Sequence, residues 1–282
     1  MVKKLALVLE GGGMRGAYTA GCLSWLLDEG IEFTNAYGIS SGAFHLASFL
    51  MKNKDYLYDM STSYIADKAV VGLRSLLRCG RIVDYDYMFS KIVEGKMHFD
   101  IRDVQSNTAG YVGIYSLNKG YTEYMPITKM NNTMLKAAAS LPIIGKKVPY
   151  GDDFLLDGGI TEMIPIHPAI KDHCDKFLVI TTKPHDYVRK PAKELIVRLM
   201  GLFYPQNDHQ IAKDYRIRHQ NYNQQIKEIE ALVNKGDAFY RYPTVNIPVS
   251  RLRGDKEDLR KLYELGRSDM EKSRDAIYAL LD

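Results

Sequence analysis

Residues 5–9 (Leu-Ala-Leu-Val-Leu) form an unbroken apolar run without polar alternation, the pattern of a strand buried on both faces of a parallel sheet. The run stops at Glu10 and enters Gly11-Gly12-Gly13. From Met14 to Asp28 the pattern turns helical and broadly apolar, through Ala17, Tyr18, Leu23, Trp25, Leu26 and Leu27. Gly30 closes it where glycine is favoured after a helix. Residues 33–37 predict a second strand, leading into Gly38-Ile39-Ser40-Ser41-Gly42, and residues 43–51 read as another buried helix. Strand, turn and helix, repeated, are the signature of an α/β fold.

Residues 54–96 read as mostly helical and rich in tyrosine. Residues 111–117 and 121–125 predict a strand pair around Asn118-Lys119-Gly120, a hairpin signal. Residues 131–139 predict a short helix stopped at Leu141-Pro142, and residues 148–157 a turn and strand before Gly158-Gly159. Residues 177–182 predict another buried strand, ended by Lys183-Pro184. The character then changes. Residues 191–235 are charged and helical, 245–249 predict a short strand, and helices continue to Asp282. Ile211, Tyr215, His219, Tyr222, Ile226, Ile229 and Val233, spaced by three and four, make one helical stripe. It is expected to pack on the core, with a partner helix as the alternative. A soft boundary near 185–205 separates a domain over 1–190 from a mostly helical region, 191–282, packed on it.

Composition narrows the class. A chain of 282 residues with 46% hydrophobic and 26% charged content lies in the ordinary globular range. That excludes a disordered tail, a collagen-like rod and a disulfide mini-protein. A net charge of +4 is too small to argue for nucleic acid, though it suits an anionic membrane surface better than an acidic chain would. Cys22, Cys79 and Cys174 show neither disulfide nor zinc spacing and read as reduced thiols. The leading apolar run is shorter than the about 7–15 residues of an export segment. No run approaches the ~18 residues of a membrane span. The expectation is a soluble cytoplasmic protein that meets a membrane surface only peripherally.

Two glycine turns carry candidate chemistry. Gly11-Gly12-Gly13-Met14-Arg15-Gly16 satisfies G-x-G-x-x-G between strand and helix. A dinucleotide site also needs an acidic residue ending the second strand. That strand ends in Ala36-Tyr37-Gly38, and Glu32 lies at its start. No Gly-Lys-Ser/Thr follows, so a P-loop is excluded. What remains is a turn that bares backbone N–H groups toward an anion, a phosphate or a developing oxyanion, or a tight turn without a ligand. Gly38 to Gly42 is a G-x-S-x-G pentamer, which places Ser40 as nucleophile on a sharp turn and Ser41 as helix N-cap, unless it is a plain turn. Both turns are expected at the carboxyl edge of one sheet, where α/β sites form.

A serine nucleophile needs a base. His98, His167, His173, His185, His209 and His219 lack a telling context, and His45 reads as packed. His167 with Asp172 matches an H-x4-D acyltransferase spacing, a pattern of little information. Asp157-Gly158-Gly159 is the better candidate, because Phe154-Leu155-Leu156 drives a buried strand that delivers Asp157 at its end. A free aspartate titrates at about 3.9 and gains basicity only in a dry cleft. The alternative is a turn dipeptide.

In this order, the three segments resemble the bacterial form of the patatin-like phospholipase family, whose pattern is G-G-G-x-R/K-G, G-x-S-x-G and D-G-G/A. Ala139-Ser140-Leu141-Pro142 is similar to the family's segment before the aspartate. The resemblance covers about residues 4–182. It implies a three-layer α/β/α fold with a mostly parallel central sheet, to which this chain adds a helical C-terminal extension. It implies a Ser40–Asp157 dyad, with Ser40 as nucleophile and Asp157 as proton acceptor. The loop Gly11, Gly12, Gly13, Met14, Arg15 and Gly16 would supply oxyanion donors from its backbone. Gly38 and Gly42 would shape the elbow, and Gly158 and Gly159 the aspartate loop. Arg15 matches the family's basic position. The implied substrate is a lipid acyl ester, with neither metal nor cofactor. Two other readings stand: a lipid-binding or regulatory protein of the same fold, and a nucleotide-binding enzyme using the glycine loop. Arg74, Arg78 and Arg81 flank Leu73, Leu76 and Leu77. This reads as a solvated face over a core stripe, with a basic amphipathic contact for lipid as the alternative.

Overall fold

The apolar run at the start of the chain is the strand β1 (Leu5–Leu9) at the middle of an eight-stranded sheet, in a computed structural model that describes residues 3–281. Beyond it come α1 (Gly16–Asp28), β2 (Asn35–Ile39), α2 (Ser41–Leu50), α3 (Lys54–Asp59), α4 (Leu73–Cys79) and α5 (Tyr85–Tyr87). Then follow β3 (Ala109–Ser116), β4 (Tyr121–Pro126), α6 (Asn132–Ala139), β5 (Val148–Tyr150), β6 (Asp153–Asp157), α7 (Ile166–Lys171) and β7 (Lys176–Ile180). The last elements are α8 (Glu194–Phe203), α9 (Gln206–Asn234), β8 (Ala238–Arg241), α10 (Lys256–Glu271) and α11 (Arg274–Leu281).

Strands β3, β2, β1, β7 and β8 run parallel, in that spatial order. The sheet is covered on both faces, as its continuous apolar strands require. Leu7 and Leu9 of β1 face a layer containing α1, α2, α6 and α10, whereas Ala6 and Val8 face α7 and α9. In β7, Leu178 and Ile180 join the first layer, Phe177 and Val179 the second. The fold is therefore a three-layer α/β/α arrangement with a mostly parallel sheet. Tyr222 and Ile229 of the expected stripe are buried in the second layer, while Val233 is 39% exposed.

The edge of β3 decides the site. Residues Ala109 to Gly113 pair with β2, and β4 occupies the opposite edge over Tyr111 to Ser116. The rest of the first edge, Ile114 to Ser116, pairs antiparallel with β6. Thus β2 and β6 run toward each other along one edge. Ile39 sits opposite Gly113, and Asp157 opposite the next residue, Ile114. The ends of the two strands meet head to head.

The strand expected at 245–249 is not formed. Pro243 lies just before that segment and Pro248 within it, and neither can donate to a ladder. The aromatic-rich Ala238–Arg241 forms β8 instead and pairs with β7. The region over 54–96 holds α3, α4, α5 and two wide helical turns rather than long helices.

Helix α10 lies against α1 with almost no gap. A methyl added at Gly21 would come within 1.9 Å of the Tyr263 carbonyl oxygen, and one at Gly266 within 2.3 Å of the Tyr18 carbonyl oxygen. Tyr18 Oη lies 2.7 Å from the Tyr242 carbonyl and 3.0 Å from Asp269 Oδ2. Overpacking of this kind costs about 2 kcal/mol. Gly266→Ala is expected to lower the urea midpoint accordingly, and an unchanged midpoint would show that the helices yield without cost.

Candidate active site

Ser40 begins where β2 ends. Its backbone adopts φ 57° and ψ −125°, a strained conformation for a residue with a side chain. Glycines make the elbow possible, since a methyl at Gly42 would lie 2.8 Å from the Leu9 carbonyl oxygen. Gly158 does the same for the aspartate loop, where a methyl would lie 2.5 Å from the Gly113 carbonyl oxygen.

Ser40 Oγ donates to Asp157 Oδ2 at 2.6 Å. Asp157 Oδ1 accepts the Gly159 amide at 2.7 Å, and the Asp157 amide donates to the Ser140 carbonyl at 3.0 Å. Arg218 Nε donates to the Gly159 carbonyl, bracing the loop from α9. Asp157 is 2% exposed. Burial pushes its carboxyl above the usual range, against the opposing pull of the Ser40 and Gly159 hydrogen bonds and the charges of Arg218 and Arg251.

The glycine loop is less uniform than the motif suggests. The Gly11 amide donates to the Met163 carbonyl at 3.1 Å, and the Met14 amide to the Arg251 carbonyl at 3.1 Å. The Gly12 amide donates to Ser41 Oγ at 2.9 Å. Ser41 is therefore not the cap of α2; it opens that helix, and its hydroxyl serves the loop. Gly13, at φ +59°, keeps an amide without an acceptor among the described residues. Gly16 packs against His45 and Ser41.

Among the described residues, His45 is the one histidine that lines either cavity around Ser40. Its Nε2 lies 2.9 Å from Ser61 Oγ, its Nδ1 is buried without a partner, and burial pushes its pKa down to about 4. A neutral, packed ring results. His167 sits between Glu162 at 2.8 Å and Glu228 at 2.7 Å, and these partners raise it to about 9, the Glu162 hydrogen bond first. Asp172 accepts from Tyr37 Oη at 2.6 Å. The H-x4-D pair thus has separate partners, and neither residue lines the Ser40 cavities.

Ser40 stands where two cavities meet. An open cleft of about 560 Å³ is lined by Arg15, Lys183, Arg189, Arg218 and Arg251 together with apolar side chains, among them Ile143, Ile160, Met163, Ile196 and Met200. A narrow pocket of about 80 Å³ is lined by apolar side chains, among them Phe44, Met60, Ile65, Val70, Val83 and Met88. Gly13, Ser40, Leu141, Arg251 and Leu252 border both. At the floor, Glu10 accepts from the Lys183 ammonium and from the Thr182 amide (2.6 Å) and hydroxyl (2.8 Å). Burial alone would raise the Glu10 carboxyl, but Lys183 and Thr182 together hold it below its ordinary value.

Sequence reasoning missed Glu10, Lys183, Arg189, Arg218 and Arg251. A signal existed for Arg218: Asp214, Arg218 and Gln225, at helical spacing, form a buried polar seam beside the apolar stripe of α9. The reading of α4 as a face over a core stripe is overturned, because Leu73 and Leu77 are 70% and 79% exposed.

A strained serine hydrogen-bonded to a buried aspartate, on a sharp strand-to-helix turn at the carboxyl edge of a covered α/β sheet, places the chain among three-layer α/β proteins. A family model described as patatin-like phospholipase matches residues 7–170, and the chain belongs to that family. A second, described as a domain of unknown function (DUF6363), matches residues 208–282. The "Uncharacterized protein YjjU" of Escherichia coli (strain K12) is 26% identical over 194 residues, which cover 67% of this chain and 54% of that protein. The "Probable lipid hydrolase 463L" of Invertebrate iridescent virus 6 is 27% identical over 237 residues, covering 72% of this chain and 73% of that protein. The chain thus spans about half the length of YjjU. Among the described residues, no helix is long and apolar enough to cross a membrane, and no cluster of His, Cys, Asp and Glu could hold a metal ion.

The raised carboxyl of Asp157 has a thermodynamic sign. A group raised on folding contributes stability below its unfolded value, about 3.9, and loses it as pH climbs through the folded value. Above about 3.9 the folded chain therefore carries a growing cost for keeping this carboxyl buried. Asp157→Asn is expected to melt at a higher temperature than the wild type at pH 7, with the gap closing below pH ~4. A variant that melts lower at pH 7 would show that the hydrogen bonds outweigh the burial cost.

Proposed function

We propose that the chain is a serine acyl hydrolase that cleaves carboxylic ester bonds of lipids through a Ser40–Asp157 dyad and an acyl-enzyme intermediate. The observation that carries this reading is the 2.6 Å hydrogen bond from Ser40 Oγ to a buried carboxylate, at the junction of an apolar pocket and an open cleft. Membership of the patatin-like phospholipase family and likeness to a protein named a probable lipid hydrolase support it. Residues 1–190 form the hydrolase domain in this reading. The helical region 191–282 packs on it and lends Arg218 and Arg251 to the cleft.

Asp157 takes the proton of Ser40 as Oγ adds to the ester carbonyl. The carbonyl electron pair moves onto oxygen, which the free Gly13 amide binds and for which the Gly12 amide can exchange its bond to Ser41. Collapse expels the alcohol, which receives the proton from Asp157. Water repeats the sequence and releases the fatty acid. The acyl chain occupies the narrow pocket, and no cofactor or metal enters a step. Burial makes Asp157 a better base than a solvated carboxylate. One well-placed oxyanion donor is worth ~3 kcal/mol in the transition state. Ser40→Ala is expected to lose fluorophosphonate labelling and to hydrolyse esters at least ~10³-fold more slowly, the scale seen when a nucleophile is removed. Hydrolysis at the wild-type rate by Ser40→Ala would overturn the reading.

The protein is read as cytoplasmic, with transient contact at an anionic membrane surface through α4. That helix is an excursion between Val71 and Val83, which bridge to each other and line the narrow pocket. Its exposed Leu73 and Leu77 therefore stand outside the acyl pocket, beside Arg74 and Arg81. Leu73→Ser/Leu77→Ser is expected to cut sedimentation with phosphatidylglycerol vesicles several-fold. Unchanged sedimentation would remove α4 from the contact.

A further inference from the structure

The open cleft gathers cations from distant parts of the chain. Arg15 comes from the glycine loop, Lys183 and Arg189 from the segment after β7, Arg218 from α9 and Arg251 from the loop before α10. Lys183 has a carboxylate partner in Glu10. The arginines that form ion pairs among the described residues are Arg78, Arg102, Arg198, Arg216, Arg267 and Arg274, none of which lines the cleft. Among the described residues, Asp157 is the one carboxylate on the cleft wall, and Ser40 and Gly159 occupy its oxygens. Arg15 Nε is buried with no hydrogen-bond partner among the described residues.

These groups press on one another. Burial brings Arg218 down to about 9, and Arg189 and Arg251 add to the fall. Burial brings Lys183 down to about 8, where Arg15 and Arg189 oppose the support of Glu10. Arg15 is lowered by burial and by Arg251, against Glu10. Glu10 and Asp157 offset part of this repulsion, and the rest is a cost of folding that a bound anion removes. Tyr187 and Tyr215 line the same cleft and offer hydroxyl donors.

The narrow apolar pocket and the larger cleft, whose wall combines these cations with Ile143, Ile160, Met163, Ile196 and Met200, adjoin at Ser40; with the acyl chain in the narrow pocket, the alcohol portion of an ester lies in the cleft. We propose that Arg15, Arg189 and Arg251 form a subsite for a phosphate or phosphodiester on the alcohol side of the ester, so that the substrate is an acidic phospholipid. Arg218, held by the Gly159 carbonyl, closes the reacting end of this subsite. Several oxygens on one phosphorus suit guanidinium groups that arrive from three segments, each able to take an oxygen. This assignment rests on the hydrolase reading.

The test uses the full chain as Ser40→Ala, titrated calorimetrically with dodecanoyl lysophosphatidic acid and with monododecanoylglycerol, both below their micellar concentrations. The phosphate-bearing lipid is expected to bind at least tenfold tighter, about the worth of one charge-assisted hydrogen bond, with the margin shrinking as salt rises. Adding Arg189→Gln or Arg251→Gln is expected to cut the margin about tenfold each. The two arginines lie on different segments, so if one variant fails to fold the other decides. Equal binding of the two lipids, or a margin unchanged by both substitutions, overturns the subsite. Glycerol 3-phosphate separates the sources of phosphate: binding as tight as that of the lysolipid would overturn the lipid assignment in favour of a free phosphate. The same lipids given to the enzyme with Ser40 intact separate the two claims. Selective binding without hydrolysis of either lipid would sink the hydrolase reading and leave the subsite standing. Hydrolysis of both at equal kcat/KM would sink the subsite alone.

Discussion

One edge of β3 serves two strands, and the site depends on that sharing. A strand edge offers a single row of backbone donors and acceptors, and here β2 takes the first part and β6 the remainder. Because the partners approach from opposite ends, both chain ends arrive at one place. Ser40 and Asp157, 117 residues apart in sequence, are brought within 2.6 Å by backbone pairing rather than by side-chain attraction. The hydrogen bond between them is a consequence of register. A shift of one residue in either strand would turn a side chain to the opposite face of the sheet.

The same region concentrates features that work against stability. Ser40 is strained, Asp157 is a buried carboxyl, and the cleft collects arginines that form no ion pair among the described residues. Elsewhere the chain is well packed, with β1 and β7 buried on both faces and α1 seated against α10 through paired glycines. Strain of this kind persists only where the surroundings over-determine it. The elbow is held by close backbone contact with the end of β1, and the aspartate loop by the Ser140 carbonyl and Arg218.

Residues beyond the patatin-like match belong to the site and not only to its support. Arg218 and Arg251 come from within the region matched by the domain of unknown function. Arg218 holds the Gly159 carbonyl, and the Arg251 carbonyl takes the amide of Met14 in the glycine loop. In addition, β8 extends the parallel sheet and α10 covers α1. The loop geometry at Ser40 therefore depends on the C-terminal third of the chain.

The sequence by itself determined the α/β class, the two glycine turns and the strand that carries Asp157. Each of these is written locally: an apolar run long enough for a strand, glycines where side chains would collide, and a polar residue at a strand end. It also pointed to Ser40 within its five-residue turn and to Asp157 over the histidines as the group beside it. Tertiary structure alone decided that β6 meets β2 end to end and that β8 forms at 238–241. It alone decided that Leu73 and Leu77 face outward while Arg15, Arg189, Arg218 and Arg251 face a common cleft. These outcomes are pairings and charges contributed by segments far apart in the chain. Local periodicity reports which face of an element is apolar, but which distant edge or cation it will meet is set only when the layers close.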